Sequence, residues 1–412
     1  MSLSNSPTAE RSVRRRIPSL EGYRGLAALG IVVFHAYQFN RGDTAGRYPY
    51  AGSVIDLVLR NLDGLVSLFL VLSGYLMYAP LCKAMTEGAP SEKVRVFLFR
   101  RAVRILPLYW IAIVVVWAYR NPVFPGDWRD LVEHLTFTQV FDSKRIFYTI
   151  GPAWSLSVEV MFYLFIAVLY VAFNHIHWAT MSSRSRLRSL YAAPVFLIAA
   201  SLAWNGWAMY VAHEPATRWA IWFNPLAKAS MFGCGMIVAI VARHENRFTD
   251  RATVLMLRLS ALAMLTVGCI IRTDDALDAN LFNLLATVAF GLMIASSVLA
   301  PPSDAINRAL SRGALARLAL ISYSLYIWHE PILLWLDRHL HLNHDAAYFP
   351  LTAVLLVTVS IPFAQLSYQV IEKPFNNLRT IMTAQGTRHD RYAGEVGTPP
   401  MHGRPAASPA SL

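Results

Sequence analysis

Charge is scarce in this chain. Only 15% of its 412 residues are Asp, Glu, Lys or Arg, against about 25% in an ordinary soluble domain. With 55% hydrophobic residues and a mean hydropathy of +0.40, that deficit excludes a water-soluble globule and points to lipid. Cysteine is scarcer still. Cys82, Cys234 and Cys269 are the three in the chain. They fall in or beside apolar runs without metal-ligand spacing, which excludes a disulfide framework or a cysteine metal site. No small-residue cleavage site follows the first apolar run, and the residues before it are polar and basic. That run is expected to stay in place as a signal anchor. No internal repeat and no appended soluble domain are visible. The formal charge of +12 is spread in short clusters between apolar runs, which suits membrane topology and not a nucleic-acid patch.

What is present is a series of apolar segments of spanning length, about 20 residues each. Ten candidates read at 21–39, 62–82, 105–120, 152–173, 192–212, 225–242, 253–271, 280–300, 316–337 and 350–371. The third is short, with Pro107 at its start. Alternate connections carry the cations: Lys93 to Arg104, Arg184 to Arg188, Arg243 to Arg251, Arg308 to Arg317, then Lys373 and Arg379. The intervening connections carry acids such as Asp127, Asp130 and Asp142. The expectation is an all-α polytopic membrane protein of about ten transmembrane helices, with both termini cytoplasmic. A basic arm (1–20) precedes a transmembrane domain (21–375), and a polar, largely disordered cytoplasmic tail (376–412) follows it.

Polar residues at membrane depth are costly and are mostly kept for function. The first span, "YRGLAALGIVVFH", carries Arg24 and His35, 11 positions and roughly 16 Å apart on nearly one helix face. The fourth, "GPAWSLSVEVMFYLF", carries Glu159 roughly 10 Å below its outer end. The ninth, "SYSLYIWHEPILLW", adds His329 and Glu330 at similar depth. This layer reads either as a network that pins helices or as a site. Arg100, Arg101 and Arg104 in "FLFRRAVRILPLYW" read either as positive-inside bias or as a phosphate clamp. Ser73 and Gly74 in "FLVLSGYLM" allow close helix approach. The exposed run His339, His341, His344 and Asp345 fits no familiar metal spacing, and no metal site is expected. The connection at 120–150, with Trp128, Phe137, Phe141 and Phe147, reads as a sugar-stacking lid or as a loop lying on the bilayer.

These blocks together resemble the membrane acyltransferase-3 family, O-acyltransferases of bacterial glycans, glycolipids and some secondary metabolites. "LEGYRGLAALGIVVFHA" is similar to its Arg–ten residues–His signature. "FLVLSGYLM", "FLFRRAVRILPLYW", "WSLSVEVMFYL", "ISYSLYIWHEP" and "SYQVIEKPF" are similar to further blocks in the usual order, covering roughly Ile17 to Phe375. The departures are Ser67 where many members have Asp, Val160 where they have a second acid, and Glu330 where an aromatic is usual.

The resemblance implies a bacterial cytoplasmic (inner) membrane enzyme. It would move an acyl group, acetyl first, from cytoplasmic acyl-CoA to a hydroxyl of an envelope glycolipid, polysaccharide or other glycosylated acceptor. No permanently bound cofactor is implied. His35 would be general base or acyl carrier, with Glu159 orienting it and Arg24 lining the passage. Arg100, Arg101, Arg104 and Arg24 would hold the donor phosphates, and Ser73, Trp154, Tyr323 and His329 would line the substrate channel. Glu372 would pair with one of the arginines. Two other readings remain: a proton-coupled transporter, against which stands the lack of similar halves, and an acyl-relay subunit feeding a separate transferase.

Overall fold

The computed structural model describes residues 18–41, 47–87, 91–175, 180–244, 249–273, 276–301 and 303–377. Most of the expected basic arm (1–20) and of the tail (376–412) therefore lies outside the described residues. Among these residues the chain forms helices and turns, with no strand. In order they are α1 (Pro18–Phe39), α2 (Val54–Leu59), α3 (Leu65–Glu87), α4 (Val94–Arg120), α5 (Trp128–Leu135), α6 (Trp154–Asn174), α7 (Ser183–Tyr210), α8 (Trp219–Trp222), α9 (Ala229–His244), α10 (Arg251–Ile271), α11 (Ala276–Leu299), α12 (Ala305–Leu310), α13 (Gly313–Leu340) and α14 (Phe349–Ser367). A π-helical turn, Tyr368–Glu372, continues α14.

Seven described segments are long and apolar enough to cross a membrane: Val54–Glu87, Val94–Arg120, Gly151–Asn174, Ser183–Tyr210, Arg251–Ile271, Leu277–Leu299 and Ala346–Asn377. The protein is thus a multi-pass membrane protein. The three expected spans outside this set are α9, which is short at 16 residues, and α1 and α13. Those two are long enough at 22 and 28 residues, and their polar residues set them apart. They are also central: α1 packs on α13, and both contact α14. The third expected span begins earlier than its apolar run. α4 starts at Val94, carries Pro107 within it, and brings the arginines onto the helix itself. A proline inside a membrane helix is tolerated because neighbouring groups satisfy the freed carbonyl.

The core sits around α3, where Leu70, Val71, Leu72, Met77, Tyr78 and Leu81 are buried. α3 meets α9 at close range because two glycines face each other's backbones. A Cβ on Gly74 would strike the Phe232 backbone, and one on Gly235 the Val71 carbonyl. By contrast α10 turns Leu255, Met256, Leu259, Leu262, Val267 and Ile270 outward, the apolar stripe a lipid-facing helix requires.

The segment at 121–150 is a folded element. α5 is capped by Asp127, whose carboxylate accepts from the Asp130 N–H at 3.2 Å. Buried Asp130 accepts from Thr149 Oγ1 and lies 3.1 Å from His134 Nδ1. Phe137 stacks on Tyr109 with centroids 4.3 Å apart, while Trp128 and Phe141 point outward, exposed.

Candidate active site

Two polar cavities lie within the bundle. The first holds about 60 Å³ and is lined by Arg24 of α1, Ser73 of α3, Arg101 and Arg104 of α4, Glu159 and Tyr163 of α6, and Tyr323 of α13. Glu159 Oε1 accepts from Ser73 Oγ and from the Tyr163 hydroxyl, both at 2.6 Å. Arg101 lies over the Tyr163 ring, 5.4 Å from its centroid. Arg24 has a weak partner in Glu21, 3.4 Å away on the next turn. The Tyr323 hydroxyl donates to the Ile105 carbonyl at 2.8 Å, tying α13 to α4. Three guanidinium groups around one carboxylate leave a net positive chamber suited to phosphate oxygens.

The second cavity is ten times larger, about 600 Å³. His35, Ser67, Trp154, Trp219, Lys228 and Glu330 are among the residues that line it. Phe147, from the 121–150 segment, also reaches it. Glu330 accepts from the Gly151 N–H at 2.5 Å. A side chain at 151 would strike that carboxylate, so glycine is what lets the backbone approach it. Arg272 makes a two-pronged ion pair to Asp63 at 2.6 and 2.7 Å.

Tyr326 lines both cavities. Its hydroxyl donates to the Pro152 carbonyl at 2.9 Å and lies 2.7 Å from Ser155 Oγ. Hydrogen bonding therefore holds this side chain in place where the linings of the arginine chamber and the aromatic chamber meet.

The sequence-derived residues divide between the two. Arg24, Ser73, Arg101, Arg104, Glu159 and Tyr323 line the arginine chamber, and His35 and Trp154 the aromatic one. Four of the expected residues have other neighbours than the sequence reading gave them. Glu159 hydrogen-bonds Ser73 and Tyr163 and lines the arginine chamber, whereas His35 lines the aromatic one. Arg100 lines neither chamber and is ion-paired with Glu92. His329 is fully buried behind His35, its ring centroid 5.0 Å from that of His35 and 5.9 Å from that of Tyr326. Glu372 accepts from Ser324 Oγ, and no ion pair joins it to an arginine among the described residues.

Sequence reading passed over Tyr326, Lys228 and the Asp63–Arg272 pair. Lys228 carried the clearest available signal, a lysine inside an apolar candidate span. Asp63 and Arg272 lie 209 positions apart, and the contact of the α10 end with the α2–α3 region brings them together.

Two cavities carrying polar groups, with Tyr326 in the lining of both, lie inside the helical bundle of this membrane protein. The family model of the acyltransferase domain (acyltransferase-3) matches residues 17–366, and the chain belongs to that family. It is 24% identical over 387 residues to a Bacillus subtilis protein named "Putative peptidoglycan O-acetyltransferase YrhL", covering 87% of this chain and 55% of that one. It is 22% identical over 405 residues to the peptidoglycan O-acetyltransferase OatA of Listeria monocytogenes, covering 93% and 59%. The chain thus spans a little over half the length of these curated relatives. No solved structure matches it.

Proposed function

We propose that this chain is an O-acyltransferase that takes an acyl group, acetyl first, from acyl-CoA and passes it to a hydroxyl of a cell-envelope glycan. The observation that carries the reading is the shared wall at Tyr326, with guanidinium groups on one side and an imidazole among aromatic rings on the other. The names of the bacterial relatives, which specify peptidoglycan O-acetylation, support the acceptor class.

In this reading the protein spans the inner membrane ten times, α1, α9 and α13 included, with both termini in the cytoplasm. The arginine chamber opens to the cytoplasm. Arg24, Arg101 and Arg104 hold the donor phosphates, and the thioester arm extends past Tyr326. His35 then acts by one of two routes. As general base it takes the proton from the acceptor hydroxyl while that oxygen attacks the thioester carbonyl; the carbon–sulfur bond breaks and the proton passes to the departing sulfur. As acyl carrier its neutral ring attacks the carbonyl, the carbon–sulfur bond breaks and the sulfur leaves with the ring proton; the acceptor hydroxyl then displaces the ring from the acyl carbon and its proton returns to the imidazole. Glu159, held by Ser73 and Tyr163, balances the arginine charge.

The test is thiol release from acetyl-CoA by purified protein in nanodiscs, wild type against His35→Ala, with a glycan acceptor present. Release that falls by about 10²–10⁴ in the variant is the expected loss of a general base. Wild-type protein that neither binds nor consumes acetyl-CoA or longer acyl-CoAs would overturn the reading in favour of transport. Mass spectrometry of the quenched protein separates the two routes, because an acylated His35 accumulates in one of them alone.

A further inference from the structure

The aromatic chamber holds one charge that the reading above leaves without a task. Lys228 stands at the start of α9, in the wall of the chamber, and is only 8% exposed. Its Nζ lies 5.1 Å from the centroid of Phe223 and 5.9 Å from that of Trp154. Among the described residues no hydrogen bond or ion pair reaches that ammonium. A buried ammonium is costly unless paired, and two aromatic faces offset only part of that cost.

The neighbouring carboxylates are committed elsewhere. Asp63 is gripped by Arg272 through both oxygens, and Glu330 holds the Gly151 N–H. The Lys228 ammonium is thus left without a carboxylate of its own, beside rings whose faces suit the apolar face of a sugar.

We propose that Lys228 is the anion-recognition point of this chamber, and that the acceptor is a sugar bearing a carboxylate or a phosphate ester beside the hydroxyl that is acylated. The proposal rests on the reading of this chamber as the acceptor site. The ammonium fixes the register of the glycan, the rings of Trp154 and Phe223 flank it, and one hydroxyl is brought towards His35. A neutral sugar leaves the ammonium unpaired and binds more weakly.

The experiment reads binding, not turnover. The full chain in nanodiscs is titrated with N-acetylglucosamine, with N-acetylmuramic acid (the same sugar carrying a lactyl carboxylate) and with N-acetylglucosamine 1-phosphate, following tryptophan emission. At least one anionic sugar is expected to bind at least tenfold more tightly than the neutral one, and which of them does so identifies carboxylate or phosphate as the anion. Lys228→Gln is expected to erase that difference while leaving the neutral sugar unchanged, and Lys228→Arg to retain part of it. Equal binding of all three sugars by the wild type, which needs no variant, would overturn the proposal. So would a preference that survives in Lys228→Gln. His35→Ala is expected to keep the preference, so the outcome stands apart from whether acyl transfer is ever observed.

Discussion

The Tyr326 hydroxyl lies 2.7 Å from Ser155 Oγ, and this contact fixes α13 to the first turn of α6 where the two chambers meet. Ser155 Oγ also lies 3.2 Å from the Pro152 carbonyl, the acceptor that Tyr326 uses, so two hydroxyl protons are shared among three oxygens. The three groups form a small closed network in an otherwise apolar wall. In the reaction proposed above, this wall would let a narrow acyl arm through and keep water from the thioester when no acceptor is bound.

Tyr326→Ala is expected to open that wall. Acceptor-free thiol release from acetyl-CoA should rise several-fold, because water gains the path otherwise closed. The truncation should also destabilise the protein by about 3–5 kcal/mol, the usual cost of removing a buried aromatic ring. Tyr326→Phe keeps the ring and loses a hydrogen bond worth about 0.5–1.5 kcal/mol, so the leak should stay near wild type. A Tyr326→Ala protein with no added leak would show that the ring is not the partition.

The arginines offer a sharper contrast. Arg104 and Arg24 line the small chamber, whereas Arg100 is bound to Glu92 outside it. Arg104→Ala and Arg24→Ala are each expected to raise KM for acetyl-CoA tenfold or more while leaving KM for the glycan near wild type. Arg100→Ala should change neither by more than about threefold, since Arg100 lies outside both chambers and its ion pair with Glu92 touches neither substrate site. Equal effects from all three would return the cluster to a general positive-inside role.

Much of this arrangement was legible before any coordinates. Helices of spanning length follow from apolar runs. Arg24, His35 and Glu159 stood out because polar groups in such runs are rare. What the one-dimensional pattern could not give was lateral neighbourhood. Glu159 and His35 read as sharing a depth, yet they line different chambers, because depth along separate helices says nothing about which faces meet. Arg100 and Arg101 are adjacent in sequence, but a helix turns successive residues by about 100°, so one faces the chamber and the other faces Glu92. The Asp63–Arg272 pair joins distant segments and carries no local signature at all.

Helix contact makes its own prediction. Gly235 and Gly74 lie where α9 and α3 approach within backbone contact. Backbone atoms cannot move aside as a flexible side chain can. Gly235→Ala is therefore expected to cost about 1–3 kcal/mol through overpacking, read as a lower unfolding temperature in detergent. Gly206, in the last turns of α7, has open space where a Cβ would go. Gly206→Ala should be neutral or stabilising by about 0.5–1 kcal/mol, because glycine weakens a helix interior relative to alanine. A Gly235→Ala protein as stable as Gly206→Ala would mean that the two helices are not packed this closely.

The 121–150 segment is held outside the spanning helices by a charge cluster with a defined acid limit. Arg145 donates to Asp127 Oδ2 and to Asp142 Oδ2, each at 3.0 Å. Burial alone would raise both carboxyls. The Asp130 N–H on Asp127, the Lys144 N–H on Asp142 and the Arg145 guanidinium on both outweigh it and hold them below the ordinary aspartate value. A carboxyl whose folded pKa is depressed stabilises the fold above its unfolded value, about 3.9, and loses that contribution as pH falls through the folded value. The gap in unfolding temperature between wild type and Arg145→Gln should therefore be constant from pH 7 to about 5 and shrink below about pH 4. Phe147, two residues beyond Arg145, lines the aromatic chamber, so glycan affinity should weaken over the same acid range in wild type while acetyl-CoA affinity holds. If the stability gap instead widens on acidification, the two aspartates are not the groups that hold this segment.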